Sequence, residues 1–275
     1  MGKTDICEIA RLSSKFSEHY LRIVGRDGSF FHGGNQNWWQ DKAVVCNKNK
    51  IKTMKEDEYF RLWQIGCGVI AMSDAELYVM LQSNGGSQRI PVMIDRDILQ
   101  TGMCRMNAYR DYVEQMYGTK YRIAGKLLNL LAGLYPWTMA KGFHNFLKDG
   151  NYSLTKVKWS RYGSLFGVAK KQKVLNEVER MLNDDIPVVF SYYSFKGDKI
   201  NLYGSIQAAG ERNEENVDRV NSHYMTIIGL YGYPAGKSGN YRYILKVVSW
   251  GKIYYIDYDE YAEKLDYASN ILSVY

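Results

Sequence analysis

One cysteine stands between two glycines in the stretch WQIGCGVIAMSD, and an apolar run begins directly after it. The thiolate is the reactive form of cysteine, and an ordinary thiol with a pKa of about 8.5 is mostly protonated at neutral pH. The start of a helix lowers that pKa through partial positive charge and unpaired N–H groups. We therefore predict that Cys67 is a nucleophile at a helix start, with Gly66 and Gly68 letting the backbone bend and leaving the sulfur accessible. A structural cysteine is the alternative, since small buried cysteines are common.

A cysteine nucleophile also needs a base, and the sequence offers four histidines. His19 lies among charges, His144 within a predicted helix and His32 in a loop. His223 instead opens the strand HYMTIIGLYG, and a histidine at the edge of a central strand can face a helix packed on that sheet. Nucleophile and base are usually far apart in such sequences. We predict His223 as the base, and an ordinary strand-end histidine is the alternative.

The elements that must position these residues change their hydrophobic period along the chain. Helical periodicity prevails in the first half and in the stretch that ends near Asn183, whereas β-branched and aromatic residues between turn signals follow. The predicted helices lie at 5–24, after Cys67, and at 102–117, 124–134 and 138–148. The predicted strands lie at 186–194, 222–233, 241–251 and 252–258, with a polar loop over 202–222 and a short final helix. Helices first and strands later favour an α+β fold.

The composition is that of a globular chain and argues against several classes of protein. The chain has 275 residues, 46% of them hydrophobic, and a formal charge of +7 without the concentrated basic stripe of nucleic-acid binders. No apolar stretch approaches the roughly 20 residues that span a bilayer, and the N-terminus lacks a signal-peptide layout. We therefore expect no nucleic-acid partner, no stable membrane insertion and a cytoplasmic location. The cysteines lack metal-type spacing and no phosphate-binding motif occurs, so we expect no metal and no other cofactor.

Three stretches together resemble the papain-like cysteine peptidase superfamily, and most nearly its bacterial C39-like branch. They read GCGVIAMSDAELY, SHYMTIIGLYGY and VVSWGKIYYI, and a helix followed by an acidic turn and IPVVFSYY agrees with them. These pieces cover the Cys67 helix and most of the C-terminal region, but not the N-terminal region or 87–165. The resemblance implies one papain-like domain over 1–275, in which an N-terminal catalytic helix packs on a C-terminal antiparallel sheet and 87–165 forms a helical insert.

The resemblance also implies roles for matching positions. Cys67 would be the nucleophile and His223 its general base, and an Asn or Asp just before Ser-Trp-Gly would orient the imidazole. Val248 stands there instead, and its side chain cannot accept a hydrogen bond. Ser249 is our first candidate for this third position, with Trp250 covering it from water. Two acidic residues farther along the chain are the alternatives: Asp257 and Asp259.

An oxyanion hole needs donors aimed at the oxygen that becomes negative. The backbone N–H of Cys67 is one, and the family adds a glutamine before the cysteine. Gln64 is closer than the usual spacing, whereas Gln36 in GGNQNWW fits if 41–62 is an insertion, and we prefer it. A surface loop pinned by two tryptophans is the alternative for this stretch. Five residues are predicted to line the substrate site: Trp38, Trp39, Trp250, Gly66 and Gly68.

Three classes of function remain open from the sequence. The first is a cysteine peptidase or amidohydrolase that forms a thioester acyl-enzyme with a peptide or protein substrate, and the same apparatus also runs transglutamination or deamidation. The second is a catalytically impaired papain-like protein that binds a peptide or glycan, which the missing Asn or Asp favours. The third is a basic module for anionic lipid or nucleic acid, which no compact basic patch favours. The substrate, the acceptor and the oligomeric state stay open.

Overall fold

The structure is a computed structural model that describes 6–13, 20–41, 54–82, 103–121, 134–153, 155–161, 168–194, 196–213, 215, 217–235, 240–264 and 270–275. The chain divides into two compact units. The cysteine unit comprises 21–157 with Tyr275, and the histidine unit comprises 1–20 with 158–274. Both units contain helices and strands, so the α+β class is confirmed for the described residues.

The described elements are numbered here in chain order. The helices are α1 (Met54–Ile65), α2 (Cys67–Gln82), α3 (Met106–Thr119), α4 (Pro136–Asp149), α5 (Val168–Asn183), α6 (Ile206–Glu211) and α7 (Tyr258–Glu263). The strands are β1 (Cys7–Arg11), β2 (Arg22–Val24), β3 (Phe30–His32), β4 (Met103–Arg105), β5 (Val157–Arg161), β6 (Val188–Tyr193), β7 (Ile200–Leu202), β8 (Asp218–Val220), β9 (Ser222–Ala235), β10 (Asn240–Ser249), β11 (Lys252–Asp257) and β12 (Asn270–Val274). None of these helices is long and apolar enough to cross a membrane.

The cysteine unit is built around helix α2. Every residue from Gly68 to Leu81 is buried, and a helix that is buried on all sides is typical of a core position. Helices α1, α3 and α4 contact it. A small sheet in the order β3-β2-β4 lies against α3, with Ile23 and Cys104 buried on one face. The Cys67 helix is thus held from several sides within its own unit.

The histidine unit is built around an antiparallel sheet. Among the described residues this sheet has seven strands, in the order β11-β10-β9-β6-β12-β5, with β1 also paired to β9. Helix α5 packs on β1, β6, β9 and β12, and its Val174, Val178 and Met181 are buried. The long strand β9 is central because it pairs with β6, β10 and β1. The sheet therefore fixes both strands that carry the predicted base and its partner.

The helix predicted over 5–24 is wrong, because β1 occupies Cys7–Arg11 and β2 follows at Arg22–Val24. The apolar residues also satisfy a strand pattern, since Ala10 and Leu12 are buried on either side of exposed Arg11. Pairing with β9 supplies the backbone hydrogen bonds that decide between the two patterns. The stretch 14–19 lies outside the described residues.

The remaining predictions have mixed outcomes. The four predicted strands are confirmed as β6, β9, β10 and β11, and the helices after Cys67, near 102–117 and at 138–148 as α2, α3 and α4. The predicted polar loop over 202–222 is wrong in part, since α6 and β8 lie within it. Helix α1 falls in the stretch interpreted as an insertion, and β12 follows the predicted final helix. The helix predicted at 124–134 lies outside the described residues, apart from Leu134.

The described helices of the predicted insert over 87–165 are α3 and α4. Both belong to the cysteine unit and contact α2. The insert or subdomain over 87–165 stays a prediction. Pro136 is the first residue of α4, where the missing N–H of proline costs no hydrogen bond. The papain-like arrangement of the whole chain, as one domain over 1–275, stays a prediction.

Candidate functional site

Cys67 is the first residue of α2, and its half-exposed side chain belongs to no disulfide. Gly66 alone separates α1 from α2: its N–H donates to the Leu62 carbonyl at 3.1 Å, and its carbonyl accepts from the Ile70 N–H at 3.0 Å. The residues after Cys67 are buried. The sulfur therefore lies at the start of a buried helix, where the peptide dipoles supply partial positive charge.

The bend at Gly66 requires a glycine. A Cβ atom on this residue would lie 2.1 Å from the carbonyl oxygen of Leu62. Any other side chain would push the two helices apart at the residue that precedes the thiol. Gly66 and Gly68 are both buried, and their contact with a substrate stays a prediction.

Gln36 lies beside the junction of α1 and α2. It begins a 3-10 helix that Asn35 caps by accepting from the Asn37 N–H at 2.9 Å. The Gln36 Nε2 donates to the Trp63 carbonyl at 3.1 Å. In a continuous helix this carbonyl would accept from the N–H of Cys67, four residues later. The Gln36 amide thus meets α1 at the point where the helical ladder stops short of Cys67.

The two candidate glutamines differ in their surroundings. The side chain of Gln64 is exposed on α1, whereas Gln36 is half-buried. The Oε1 atom of Gln36 is buried and has no hydrogen-bond partner among the described residues. Leaving such an oxygen unpaired costs about 1–3 kcal/mol, so it needs an explanation other than stability. The contact with Trp63 favours Gln36 over Gln64 as the amide that is held at the last turn of α1.

The tryptophans that follow Gln36 hold its loop in place. The ring of Trp38 meets Phe31 at a centroid distance of 5.1 Å and Tyr109 at 5.7 Å, both edge to face. Trp39 is fully buried, and its Nε1 donates to Glu114 Oε1 at 2.9 Å. A fully buried indole has no surface for a substrate, so Trp39 belongs to the core. Half-buried Trp38 keeps part of its surface.

His223 is the second residue of β9 and lies opposite Tyr192 of β6. It is buried, and its Nε2 lies 2.6 Å from the Ser249 Oγ at the end of β10. Burial lowers the pKa of His223 from 6.5 to about 4, so the ring is neutral at pH 7. A hydroxyl both donates and accepts, so Ser249 orients the ring without selecting which nitrogen carries the proton. When Nε2–H donates to Ser249, Nδ1 is the basic nitrogen.

Trp250 covers this pair from a strained turn. Ser249 pairs with Lys252, and the two residues between them, Trp250 and Gly251, have φ values of 50° and 73°. This is the φ pattern of a type I′ hairpin, which favours Asn and Gly, and the left-handed conformation costs a non-glycine residue roughly 1–2 kcal/mol. The Trp250 ring lies 4.6 Å from the His223 ring and 6.3 Å from Tyr254. Trp250 thus occupies a strained turn position, and its ring shields the His223 imidazole from there.

The two acidic alternatives for the third position bind residues other than His223. Asp257 lies opposite Ile244, at the end of β11 remote from Lys252, which is about 16 Å along a strand. It accepts from the Arg212 Nε at 2.6 Å and caps α7. Asp259 forms an ion pair with Lys171. Ser249 is therefore the partner of the His223 Nε2 among the described residues.

The sequence analysis missed a buried carboxylate behind the Gln36 loop. Asp74 Oδ2 accepts from the Gly34 N–H at 3.0 Å, and Oδ1 accepts from the Tyr109 hydroxyl at 2.5 Å. Burial raises the pKa of Asp74 from 3.8 to about 7. The available signal was an acidic residue inside the apolar run after Cys67. Its partners could not be inferred, because they come from two distant stretches of sequence.

Comparison with family models, with curated proteins and with solved structures finds no match for this chain. Within the described residues, no group of three or more His, Cys, Asp and Glu side chains could hold a metal ion. One unit presents a thiol at a helix start beside a side-chain amide, and the other presents a neutral imidazole bonded to a hydroxyl.

Proposed function

We propose that this chain is a papain-like cysteine peptidase or amidohydrolase that acts on a peptide or protein substrate. The observation that carries the proposal is the 2.6 Å contact between His223 Nε2 and Ser249 Oγ beneath the Trp250 ring. A buried imidazole held at one nitrogen is what a general base requires, because the other nitrogen then has a defined direction. The half-exposed thiol of Cys67 at the start of α2 supports the same proposal.

The proposed reaction has two steps on the sulfur. The Cys67 sulfur attacks the substrate carbonyl while its proton passes to Nδ1 of His223, and the resulting oxyanion accepts from the Cys67 N–H and the Gln36 amide. The C–N bond then breaks, the amine leaves with the proton from His223, and a thioester remains. Water, deprotonated by His223, attacks the thioester, the C–S bond breaks and the acid leaves, and the proton returns from His223 to the Cys67 sulfur. This sequence requires the imidazole to reach the sulfur.

A second candidate is a papain-like protein of impaired activity that binds a peptide or glycan. The specific observation in its favour is that Ser249 is a hydroxyl, which neither selects the tautomer of His223 nor stabilises an imidazolium. An acyl-transferring enzyme, of the transglutaminase or deamidase type, shares the first step and differs only in the second. The reactivity of Cys67 separates the impaired protein from both enzymes.

Alkylation by iodoacetamide between pH 5 and 9, followed by mass spectrometry, tests the proposal. We expect Cys67 to be alkylated at least about tenfold faster than a plain thiol at pH 6–7, because a nearby base assists loss of its proton. Exposed Cys7 serves as the plain thiol in the same sample. His223→Ala should remove the excess rate, and Cys67→Ala should abolish hydrolysis of peptide or ester substrates with little loss of stability.

Three results would contradict the proposal. Alkylation of Cys67 that follows the pH dependence of Cys7 would mean that no base assists it. A rate unchanged in His223→Ala would exclude this histidine as the base. Substrate turnover retained in Cys67→Ala would exclude the thiol as the nucleophile. If the wild type itself shows no turnover, the binding protein becomes the better interpretation.

A further inference from the structure

The buried carboxylate of Asp74 belongs to the helix that Cys67 begins. Asp74 lies seven residues, about two turns, after Cys67, so both side chains leave α2 on the same face. Asp74 is 3% exposed and accepts two hydrogen bonds, from the Gly34 N–H and from the Tyr109 hydroxyl. Neither donor belongs to α2. The carboxylate therefore ties the Cys67 helix to α3 and to the chain that precedes Gln36.

The approach of Gly34 to this carboxylate is tight. A Cβ on Gly34 would lie 2.1 Å from the Tyr109 hydroxyl oxygen and 2.8 Å from the Ile70 Cγ2. The preceding residue, Gly33, has a φ of 67°, and its N–H donates to the Leu21 carbonyl at 2.7 Å. Two consecutive glycines thus let the backbone reach Asp74. This contact fixes the position of the loop along the axis of α2.

Gln36 lies two residues beyond this anchor. Between them, Asn35 caps the 3-10 helix that Gln36 begins, so little backbone freedom remains between Gly34 and Gln36. The Tyr109 hydroxyl donates to Asp74, which in turn accepts from the Gly34 N–H of this loop, and the Tyr109 ring contacts Trp38 of the loop directly. The position of the Gln36 amide beside Trp63 therefore depends on the Asp74–Tyr109 pair.

We infer that Asp74 and Tyr109 are positioning residues that hold the Gln36 amide beside the start of α2, and so act on oxyanion formation but not on thiol reactivity. The inference rests on the proposed function, in which the Gln36 amide is an oxyanion donor. Alkylation of a thiol by iodoacetamide forms no oxyanion, whereas acylation by an ester does. The two reactions at Cys67 should therefore respond differently to these residues.

The test compares Tyr109→Phe with Tyr112→Phe. Both tyrosines are fully buried on α3, but Tyr112 donates to Glu76, at 3.5 Å, and its bonds do not reach the Gln36 loop. The acylating probe is p-nitrophenyl acetate: the sulfur displaces p-nitrophenolate and an acetyl thioester forms. We expect Tyr109→Phe to slow acylation of Cys67 about tenfold, a fraction of the roughly 10²–10³ that loss of an oxyanion donor costs, and to leave alkylation unchanged. Tyr112→Phe should change neither rate.

A double variant shows whether the effect passes through Gln36. Once Gln36→Ala has removed the amide, adding Tyr109→Phe should slow acylation no further. If the losses of acylation rate in Gln36→Ala and Tyr109→Phe multiply in the double variant, the inference is overturned. An acylation rate that falls equally in Tyr112→Phe would also overturn it, and both results leave the proposed function standing. An alkylation rate that falls together with acylation would overturn it as well.

Hydrogen exchange provides a readout that needs no activity. The Gly34 N–H should exchange at least about tenfold faster in Tyr109→Phe and in Asp74→Asn than in wild type or Tyr112→Phe. The first variant removes the hydroxyl that holds the accepting carboxylate in place, and the second replaces that carboxylate by a weaker acceptor. If wild-type Cys67 forms no thioester, the proposed function fails, and exchange alone then decides whether the pair holds the loop. Unchanged exchange at Gly34 would overturn the positioning role.

Discussion

The two units hold their candidate catalytic side chains in different ways. In the cysteine unit, the start of α2 is surrounded by polar anchors: Gln36 binds the Trp63 carbonyl, and Asp74 binds Gly34 and Tyr109. In the histidine unit, one hydroxyl and one aromatic ring hold His223. The first arrangement fixes backbone positions, and the second fixes one ring. A donor loop must be placed to fractions of an ångström, whereas an imidazole on a strand already has its backbone fixed by the sheet.

Burial shifts the pKa values of His223 in one unit and Asp74 in the other in opposite directions. Burial lowers the pKa of His223 from 6.5 to about 4 and raises that of Asp74 from 3.8 to about 7. In each case burial disfavours the charged form. One consequence is that each unit keeps its buried group neutral over part of the range between pH 4 and 7. The other is that protonation affects the stability of the two units with opposite sign.

The largest predicted effect is on the pH dependence of stability. The pKa of His223 is lowered in the folded state, so its contribution is complete above about pH 6.5 and about 3 kcal/mol is lost as the pH falls to about 4. The pKa of Asp74 is raised in the folded state, so about 4 kcal/mol is lost as the pH rises from about 4 to 7. The two slopes oppose each other, so these two groups together should leave the free energy of unfolding of wild type nearly independent of pH between about 4 and 7.

Two variants separate the slopes, measured by urea denaturation between pH 4 and 7. Relative to wild type, Asp74→Asn should gain stability as the pH rises, because the substitution removes the carboxyl that destabilises the fold on ionising. His223→Gln should lose stability relative to wild type over the same range, because it removes the imidazole whose contribution grows with pH. Other titrating groups cancel in these differences. Parallel pH profiles for wild type and both variants would show that neither group is held neutral by burial.

A smaller effect is predicted at the helix junction. Gly66→Ala should destabilise the chain by about 2–3 kcal/mol, because the added Cβ meets the Leu62 carbonyl oxygen at 2.1 Å and the backbone has to shift. Gly118→Ala is the control, since a Cβ there meets nothing within 4 Å and alanine favours the helix by about 0.5–1 kcal/mol. Urea denaturation gives both values, and a Gly66→Ala variant as stable as wild type would mean that the junction tolerates a different bend.

The residues explain which features could be predicted from the sequence. Strands β9, β10 and β11 could be predicted, because their composition and turn residues are local signals. The contact between His223 and Ser249 could be anticipated because the triad template places a hydrogen-bonding group at that position in the next strand. Strand β1 could not be predicted, because its pattern of apolar residues fits a helix as well as a strand. Only the pairing with β9 decides between the two. The anchor at Asp74 could not either, because Gly34 and Tyr109 meet it only through the tertiary fold.

The smallest predicted effect on stability is at Trp250, where the effect on His223 is large. Trp250→Gly relieves about 1–2 kcal/mol of left-handed strain and loses ring contacts with His223 and Tyr254 of about 0.5–1.5 kcal/mol each. The two effects largely offset each other, so stability should fall by no more than about 2 kcal/mol. The imidazole then meets water, and its pKa should rise from about 4 toward 6.5, as followed by NMR titration. Gly251→Ala, at a φ of 73°, strains the same turn and keeps the ring, so it should cost about 1 kcal/mol and leave the pKa of His223 unchanged. If the pKa stays near 4 in Trp250→Gly, the sheet and not the indole keeps water from the proposed base.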